Sequence, residues 1–145
     1  MAVTAKLYGP LKLSLANKEL NLDTDTLKVK LGTAAYVPDQ DNHRYKSSVT
    51  NEVVGTGYTA GGATLTSVTV TYTAATNTVM LDAADMAWNA ATLTARYAVI
   101  YDATPATDAT RPLIAYVDFE ADSSASGAPF TITWDAAGIA TFTAA

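Results

Sequence analysis

Hydrophobic and polar residues alternate along much of this chain. In the segment TLKVKLGT, Leu27, Val29 and Leu31 alternate with Lys28 and Lys30. A period of two residues places successive side chains on opposite faces of a β-strand. The pattern therefore predicts a strand with one buried face and one face in water.

Further strand patterns follow at nearly regular intervals. They are SVTVTYTA, NTVMLDA, TLTARYAVIYDA, RPLIAYVDFEA, PFTITWD and GIATFTAA. Together with the first strand and a short one near Gly57, they give about eight strands, the number typical of antiparallel sandwiches. We therefore predict an all-β chain that folds as an antiparallel β-sandwich or jelly-roll-like domain.

The segments between these strands have the composition of connections. TPATDATRP at residues 104–112 and DSSASGAP at residues 122–129 contain the proline, glycine and serine of exposed loops. Residues 34–51 form a polar connection with room for one helical turn. We expect the segments 104–112 and 122–129 to be candidate contact loops.

The N-terminal region departs from the alternation. Leu11, Leu13, Leu15 and Leu20 fit either a strand edge or a short helix after Pro10. Proline is tolerated in the first turn of a helix, and Leu11 and Leu15 would then share one face. We favour a short helix or arm.

The length of the chain predicts a single domain. At 145 residues the chain can bury a true hydrophobic core and is short for two domains. We assign residues 1–22 to the N-terminal arm or short helix and residues 23–145 to the β-sandwich.

The segment GTGYTAGGATL at residues 55–65 resembles a dinucleotide-binding turn, because Gly55, Gly57 and Ala60 match G-x-G-x-x-G/A. That turn binds pyrophosphate only at the start of a helix, whereas a strand pattern follows here. We predict that the glycines serve a bend, with Tyr58 and Leu65 anchoring its two sides. No cofactor is expected.

Composition narrows the classes of partner. Charged residues make up 16% of the chain, below the roughly 25% of ordinary globular proteins. A surface rich in hydroxyl groups costs little to desolvate, which suits a protein packed against neighbours, although a solvated monomer also fits. The net charge of −5 argues against nucleic acid as a partner, and the absence of cysteine leaves no thiolate site.

Targeting signals are not evident in the sequence. No apolar run approaches the roughly 18 residues of a membrane span, so no membrane partner is expected. The leucines near the N-terminus are interrupted by Gly9, Pro10, Lys12 and Lys18, which does not make a convincing signal peptide. We expect synthesis in the cytoplasm, without a secretion or lipid-anchor address.

Catalytic and metal sites have weak support. His43 is the only histidine, and a catalytic role would need Asp39 or Asp41 to orient it, but no serine stands in a nucleophile turn. Asp39, Asp41 and His43 share the first ligand spacings of a calcium loop, but Arg44 replaces its glycine and Thr50 its glutamate. A loosely held calcium ion at an interface remains open, as does a role for the Asp23 and Asp25 pair. We predict no catalytic and no dedicated metal residues.

Two further patterns favour structural roles. The carboxylates that a glycosidase would need are not paired by any feature of the sequence; the candidates are Asp82, Asp85, Asp118, Glu120 and Asp135. The aromatic residues that a sugar-binding platform would need mostly occupy alternating strand positions, which favours core packing; these are Trp88, Trp134, Tyr97, Tyr101 and Tyr116.

Four blocks of the sequence resemble a known family. They are NEVVGTGYTAGGATLTSVTVTYTAATNTVMLDAADMAW, TLTARYAVIYD, PLIAYVDF and FTITWDAAGIATFTA, and they are preceded by LNLDTDTLKVKLGTAAYVPDQD. From about Lys6 to Thr143 the chain resembles small virion proteins of tailed bacteriophages, commonly labelled head decoration, capsid-cementing or phage structural proteins. This resemblance brings no catalytic residues with it.

The resemblance implies a structural role. Such a protein binds the outer surface of the expanded capsid and bridges neighbouring major capsid protein subunits, which stabilises the mature head by its binding free energy at every copy. By the same analogy we expect self-association, with a trimer as the favoured state, and a location on the outer capsid surface. A minor tail or fibre-like component and, less strongly supported, a carbohydrate-binding β-sandwich module are the alternatives.

Two segments are the candidate capsid or oligomer interface. One is the N-terminal arm and the other is the polar connection, since aromatic and arginine side chains dominate interfaces. The candidate residues are Leu7, Tyr8, Leu11, Leu13 and Leu15 in the arm, and Tyr36, Pro38, Arg44 and Tyr45 in the connection. Equally compatible is a role for these leucines in closing one open end of the sandwich.

Overall fold

The computed structural model describes residues 2–144. It contains nine strands within these residues, with one short α-helix and one 3-10 turn. The strands are β1 (Ala2–Val3), β2 (Lys6–Leu7), β3 (Leu27–Gly32), β4 (Ala63–Thr64), β5 (Thr69–Thr73), β6 (Thr78–Asp82), β7 (Met86–Asp102), β8 (Leu113–Trp134) and β9 (Ala140–Thr143); the helix α1 is Leu11–Ala16 and the 3-10 turn Lys46–Ser48. The all-β prediction is confirmed, and so is the short helix after Pro10.

The strands form two sheets. In the larger sheet the order is β1-β8-β7-β3-β4, with β2 also paired to β8, and the smaller sheet has the order β5-β6-β9. All pairings are antiparallel except that of β1 with β8. Side chains from both sheets share one hydrophobic cluster, which includes Leu81 of the smaller sheet and Ile100 of the larger. The architecture is therefore sandwich-like.

A long hairpin, β7 with β8, is the centre of the larger sheet. β7 has 17 residues and β8 has 22. The predicted exposed loop at residues 122–129 is wrong: these residues continue β8, joining two segments that the sequence pattern separated. Glu120 and Gly127 take positive φ angles of 65° and 59° at interruptions of the register. Such β-bulges bend a strand without ending it, and they allow the Ser- and Ala-rich segment to remain paired.

Both faces of the larger sheet are covered. On one face, Val29 and Ile100 belong to the main cluster. On the opposite face, Tyr97, Val99 and Tyr101 belong to a second cluster built largely of tyrosines. A strand buried on both sides loses the simple apolar–polar alternation, which accounts for the continuous apolar stretch of β7.

The second face of β3 is not in water as predicted. Lys30 pairs with Val99 across the strands, on the tyrosine face, and its side chain is 5% exposed. The connection between β3 and β4 lies over this face, and Glu52 from that connection is 3.3 Å from the Lys30 ammonium. Lys30, which the alternation placed in water, therefore forms a buried ion pair with Glu52.

Residues 55–65 form the predicted bend. Gly57, Gly61 and Gly62 have positive φ angles, and no helix begins in the segment. A Cβ on Gly62 would overlap the carbonyl oxygen of Val29. Leu65 is buried and Tyr58 packs against the main cluster, so both anchor the bend as expected.

We predict that Gly62→Ala destabilises the fold by roughly 3 kcal/mol, because the substitution combines an unfavourable positive φ with overlap against the β3 backbone. Urea unfolding measures the difference. Gly127→Ala is the matched control: Gly127 also has a positive φ, but a Cβ there meets nothing within 4 Å, so we expect a loss of about 1 kcal/mol. Equal losses for the two variants would contradict the close-approach argument.

Candidate interaction surface

The two segments nominated as interface regions lie against each other. The Gly9 amide donates to the Gln40 carbonyl at 2.8 Å, and the Gln40 Nε2 donates to the Leu7 carbonyl at 2.8 Å. We call residues 6–16 together with residues 36–49 the arm–loop layer. Distant in sequence, its two halves form one surface because they share these hydrogen bonds and the tyrosine cluster beneath them.

A chain of hydrogen bonds runs through the layer. The Asp39 amide donates to His43 Nδ1 at 3.2 Å, so that nitrogen is an acceptor. The Tyr36 hydroxyl then donates to the same nitrogen at 3.0 Å and accepts from the Tyr8 hydroxyl at 2.8 Å. His43 therefore orients two tyrosines, and among residues 2–144 no carboxylate is hydrogen-bonded to His43.

Burial sets the acidity of these tyrosines. Desolvation, reinforced by donation to Tyr36, raises the pKa of Tyr8 far above its ordinary value. Desolvation also raises the pKa of Tyr36, although the bond from Tyr8 opposes the shift. Both hydroxyls stay protonated and are structural donors.

A second polar cluster fixes the helix to the loop. Glu19 accepts from the Tyr45 hydroxyl at 2.6 Å and from Arg44 at 2.9 Å. The Arg44 Nε also lies 3.3 Å from the Ser14 hydroxyl. The hydrogen bond from Tyr45, followed by those from Ser14 and Arg44, lowers the pKa of Glu19, so its carboxylate remains charged.

The nominated residues divide into three groups by exposure. Tyr8, Leu11 and Tyr36 are each 1% exposed. Their assignment as interface anchors is wrong, because their side chains pack in the core of the chain itself. Five are half-buried, namely Leu7, Leu15, Pro38, Arg44 and Tyr45. Leu13 is exposed, at 49%. The alternative, in which the arm leucines close one end of the sandwich, therefore holds for Leu11. Leu13 remains accessible to a partner.

Other exposed apolar side chains were not nominated from the sequence. Val37 is 71% exposed within the arm–loop layer, whereas Val54 and Tyr72 are 94% and 62% exposed outside it. Val37 lies in a polar connection without periodicity, so no pattern marked it. Tyr72 follows the strand alternation, but its small sheet leaves its side chain uncovered.

Several other candidate residues make contacts within the fold. The five aromatics considered for a sugar platform are all buried, from 1% to 9% exposed, so the core-packing interpretation is confirmed. Asp85 accepts from the Trp134 amide, and Asp118 pairs with Arg96 at 2.7 Å. Within residues 2–144, no group of three or more His, Cys, Asp or Glu side chains is placed to hold a metal ion.

Lys30 and Glu52 form the most buried ion pair of the tyrosine face. Glu52 also accepts from the Tyr58 hydroxyl at 2.7 Å and the Gly61 amide at 2.6 Å. Burial alone would raise the pKa of Glu52, but these hydrogen bonds and Lys30 hold it below its ordinary value. Burial lowers the pKa of Lys30, and Glu52 opposes that shift. Glu52 thus joins β3 to the glycine bend.

No described helix is both long and apolar enough to span a bilayer. Comparison of the chain with protein-family models, with curated proteins and with solved structures found no match.

We predict that Glu52→Gln destabilises the fold by roughly 2–4 kcal/mol, because it retains the side-chain shape but leaves the Lys30 charge buried without its partner. Chemical unfolding at neutral pH measures this loss. Lys30→Met combined with Glu52→Gln is expected to recover part of it. The exposed Asp122→Asn is the charge-matched control, and an equally small effect of Asp122→Asn and Glu52→Gln would contradict the buried-pair argument.

Acid is expected to unfold the protein through its paired carboxylates. The hydrogen bond from Lys46 lowers the pKa of Asp108, and the hydrogen bond from Arg96 lowers the pKa of Asp118. The pKa of Glu52 is also lowered, by its hydrogen bonds and by Lys30. Below their ordinary values the unfolded chain binds more protons than the folded chain, so stability falls as pH falls.

Unfolding free energies measured from pH 7 to pH 2.5 should therefore decline below about pH 4.5. The decline should be shallower in Glu52→Gln, which lacks one of these groups. Asp102, whose pKa burial raises, acts in the opposite sense. An unchanged slope in Glu52→Gln would show that Glu52 titrates alike in the folded and unfolded chains.

Proposed function

We propose that this chain is a structural virion protein that binds the outside of a phage capsid, bridges major capsid protein subunits and stabilises the mature head. The resemblance to small head proteins of tailed phages, from about Lys6 to Thr143, is the origin of the proposal. The proposed role involves no chemical reaction. The protein would stabilise the head by burying complementary surface against the capsid.

The observation that carries the proposal is the construction of the arm–loop layer. Buried tyrosines and the Glu19 cluster fix its backbone, while Leu13 and Val37 project from it as exposed apolar side chains. A surface held rigid before contact loses little conformational entropy on binding. Apolar side chains on a rigid backbone are suited to a permanent lattice contact. Single exposed valines elsewhere are common on protein surfaces and indicate no contact by themselves.

The low charge of the chain supports the same role. The exposed middle of β8 presents Ser124, Ser126 and Ala128, with Thr94 of β7 hydrogen-bonded to Ser124 at 2.8 Å. Hydroxyl and methyl groups are cheaper to remove from water than ionised groups. Repetition over many copies would make small binding contributions additive along the shell, and self-association as a trimer is part of the proposal.

A carbohydrate-binding role has less support, because the aromatics that would form a sugar platform are in the core. A tail location is not favoured by any particular contact, and it is one outcome of the test below.

The test is co-sedimentation of purified protein with phage heads and, separately, with tails, counting bound copies per particle. Saturable binding of hundreds of copies to heads is expected for a decoration protein. Binding only to tails, or only a few copies per head, would overturn the proposal. Soluble glycans present during the assay should not compete.

A variant pair locates the contact. Leu13→Asp with Val37→Asp is expected to weaken head binding at least tenfold without unfolding the chain, since both side chains are exposed and the loss corresponds to about 1.4 kcal/mol or more. Val54→Asp is the matched control, because Val54 is more exposed and lies outside the arm–loop layer. Equal loss in both variants would contradict the assignment of the layer as the contact surface.

A further inference from the structure

A groove lies between the end of the helical region and the end of β7. Its volume is about 680 Å³, and its polar lining includes Lys18, Glu19, Asn21, Asp25, Asp102 and Thr104. The turn that precedes β3 contributes Asp25, and the last residue of β7 is Asp102. Two chain segments far apart in sequence therefore bring carboxyl groups to one place.

Asp102 is unusual among the carboxylates of the chain. It is fully buried, with 0% exposure. One oxygen, Oδ1, accepts from the Thr104 amide at 2.9 Å, but no hydrogen-bond donor of the described residues reaches the other, Oδ2. A buried carboxylate oxygen without a partner costs free energy comparable to a lost charged hydrogen bond. Something that these residues do not supply is therefore expected beside Oδ2.

The turn that carries Asp25 lies against the end of β7: Leu27 pairs with Asp102 across the sheet, and the Ala103 amide donates to the Thr26 carbonyl at 2.8 Å. Asp25 lines the same groove as Asp102. It accepts from the Asn21 amide at 2.7 Å, which fixes its carboxyl group in the turn. Two ionised carboxylates are both acceptors and repel each other, so the pair is stable only when a proton or a cation is held between them. Burial, followed by the contact with Asp25, raises the pKa of Asp102, while the Thr104 bonds oppose the shift.

The other charges around the groove do not neutralise this pair. Glu19 is already bound by Arg44 and Tyr45. Lys18 lines the groove, yet the ion pairs in residues 2–144 do not join it to Asp25 or Asp102. The groove thus presents two carboxyl groups in need of positive charge, beside the neutral oxygens of Asn21 and Thr104, on a chain of net charge −5.

We propose that this groove binds one hard divalent cation, with Ca²⁺ as the probe, through the carboxylates of Asp25 and Asp102. Carboxylate and neutral oxygens are the ligands that Ca²⁺ prefers, and water from the open groove would complete its shell. With only two carboxylates, the affinity belongs to the weak range of about 10⁻⁴–10⁻³ M. This proposal is independent of the proposed function.

Thermal unfolding with increasing CaCl₂ tests the site in the full chain. At 10 mM Ca²⁺ the midpoint of the unmodified protein should rise by about 3 °C or more, relative to NaCl of equal ionic strength. Excess chelator should reverse the rise. Asp25→Asn and Asp102→Asn should each abolish it, whereas Asp23→Asn, an exposed substitution in the same turn, should preserve it.

Calorimetric titration of the full chain with CaCl₂ supplies a second readout. The binding heat should saturate at one Ca²⁺ per chain, and Asp25→Asn should remove it. Absence of a midpoint rise at 10 mM Ca²⁺ would overturn the site. A rise that persists in both Asn variants would equally overturn it.

Discussion

The pairing of β7 with β8 is the interaction on which the rest of the structure depends. These two strands carry β3 on one side and the N-terminal strands β1 and β2 on the other. Their inward residues, such as Ile100 and Ile114, fill the main cluster, while Tyr97 and Tyr116 form the base of the tyrosine cluster. A hairpin whose strands contribute to both clusters couples the two cores. Loss of its register would move each side chain to the opposite face, so the bulges near Glu120 and Gly127 must be accommodated without changing the register of the flanking segments.

Covering the second face of the sheet has a consequence for recognition. The arm–loop layer is at once the lid of the tyrosine cluster and the outer surface of the chain. Tyr8 and Tyr36 hold it from below, so a substitution of either would alter stability and surface shape together. Only side chains that leave the layer, such as Leu13 and Val37, offer contacts that can be removed without disturbing the core. This separation of supporting residues from exposed residues would allow the proposed contact surface to be built on a small fold.

The strands with clear two-residue alternation, and the glycine bend, could be predicted from the sequence because they depend on local geometry. The continuity of β8 could not, since Ser, Ala, Gly and Pro at residues 122–129 favour loops until a partner strand fixes them. Lys30, Tyr8 and Tyr36 were misplaced for a related reason: their burial depends on a connection that folds back over the sheet. The same holds for Asp102, whose surroundings come from a turn more than seventy residues earlier, as the hydrogen bond from the Ala103 amide to the Thr26 carbonyl shows. Local pattern specifies strands, whereas the covering of their second face is a long-range property.

The carboxylates show where the fold has satisfied its polar groups and where it has not. Asp108, Asp118 and Glu52 face cations or amide donors, and their pKa values are lowered. Asp102 is buried and lines the same groove as Asp25, and burial raises its pKa. The groove beside Asp102 is lined by Leu15, which belongs to the arm–loop layer, and by Glu19, which accepts the hydrogen bond from Tyr45 of that layer. A positive charge held by Asp25 and Asp102 would therefore stabilise the turn that follows the helix bearing Leu13.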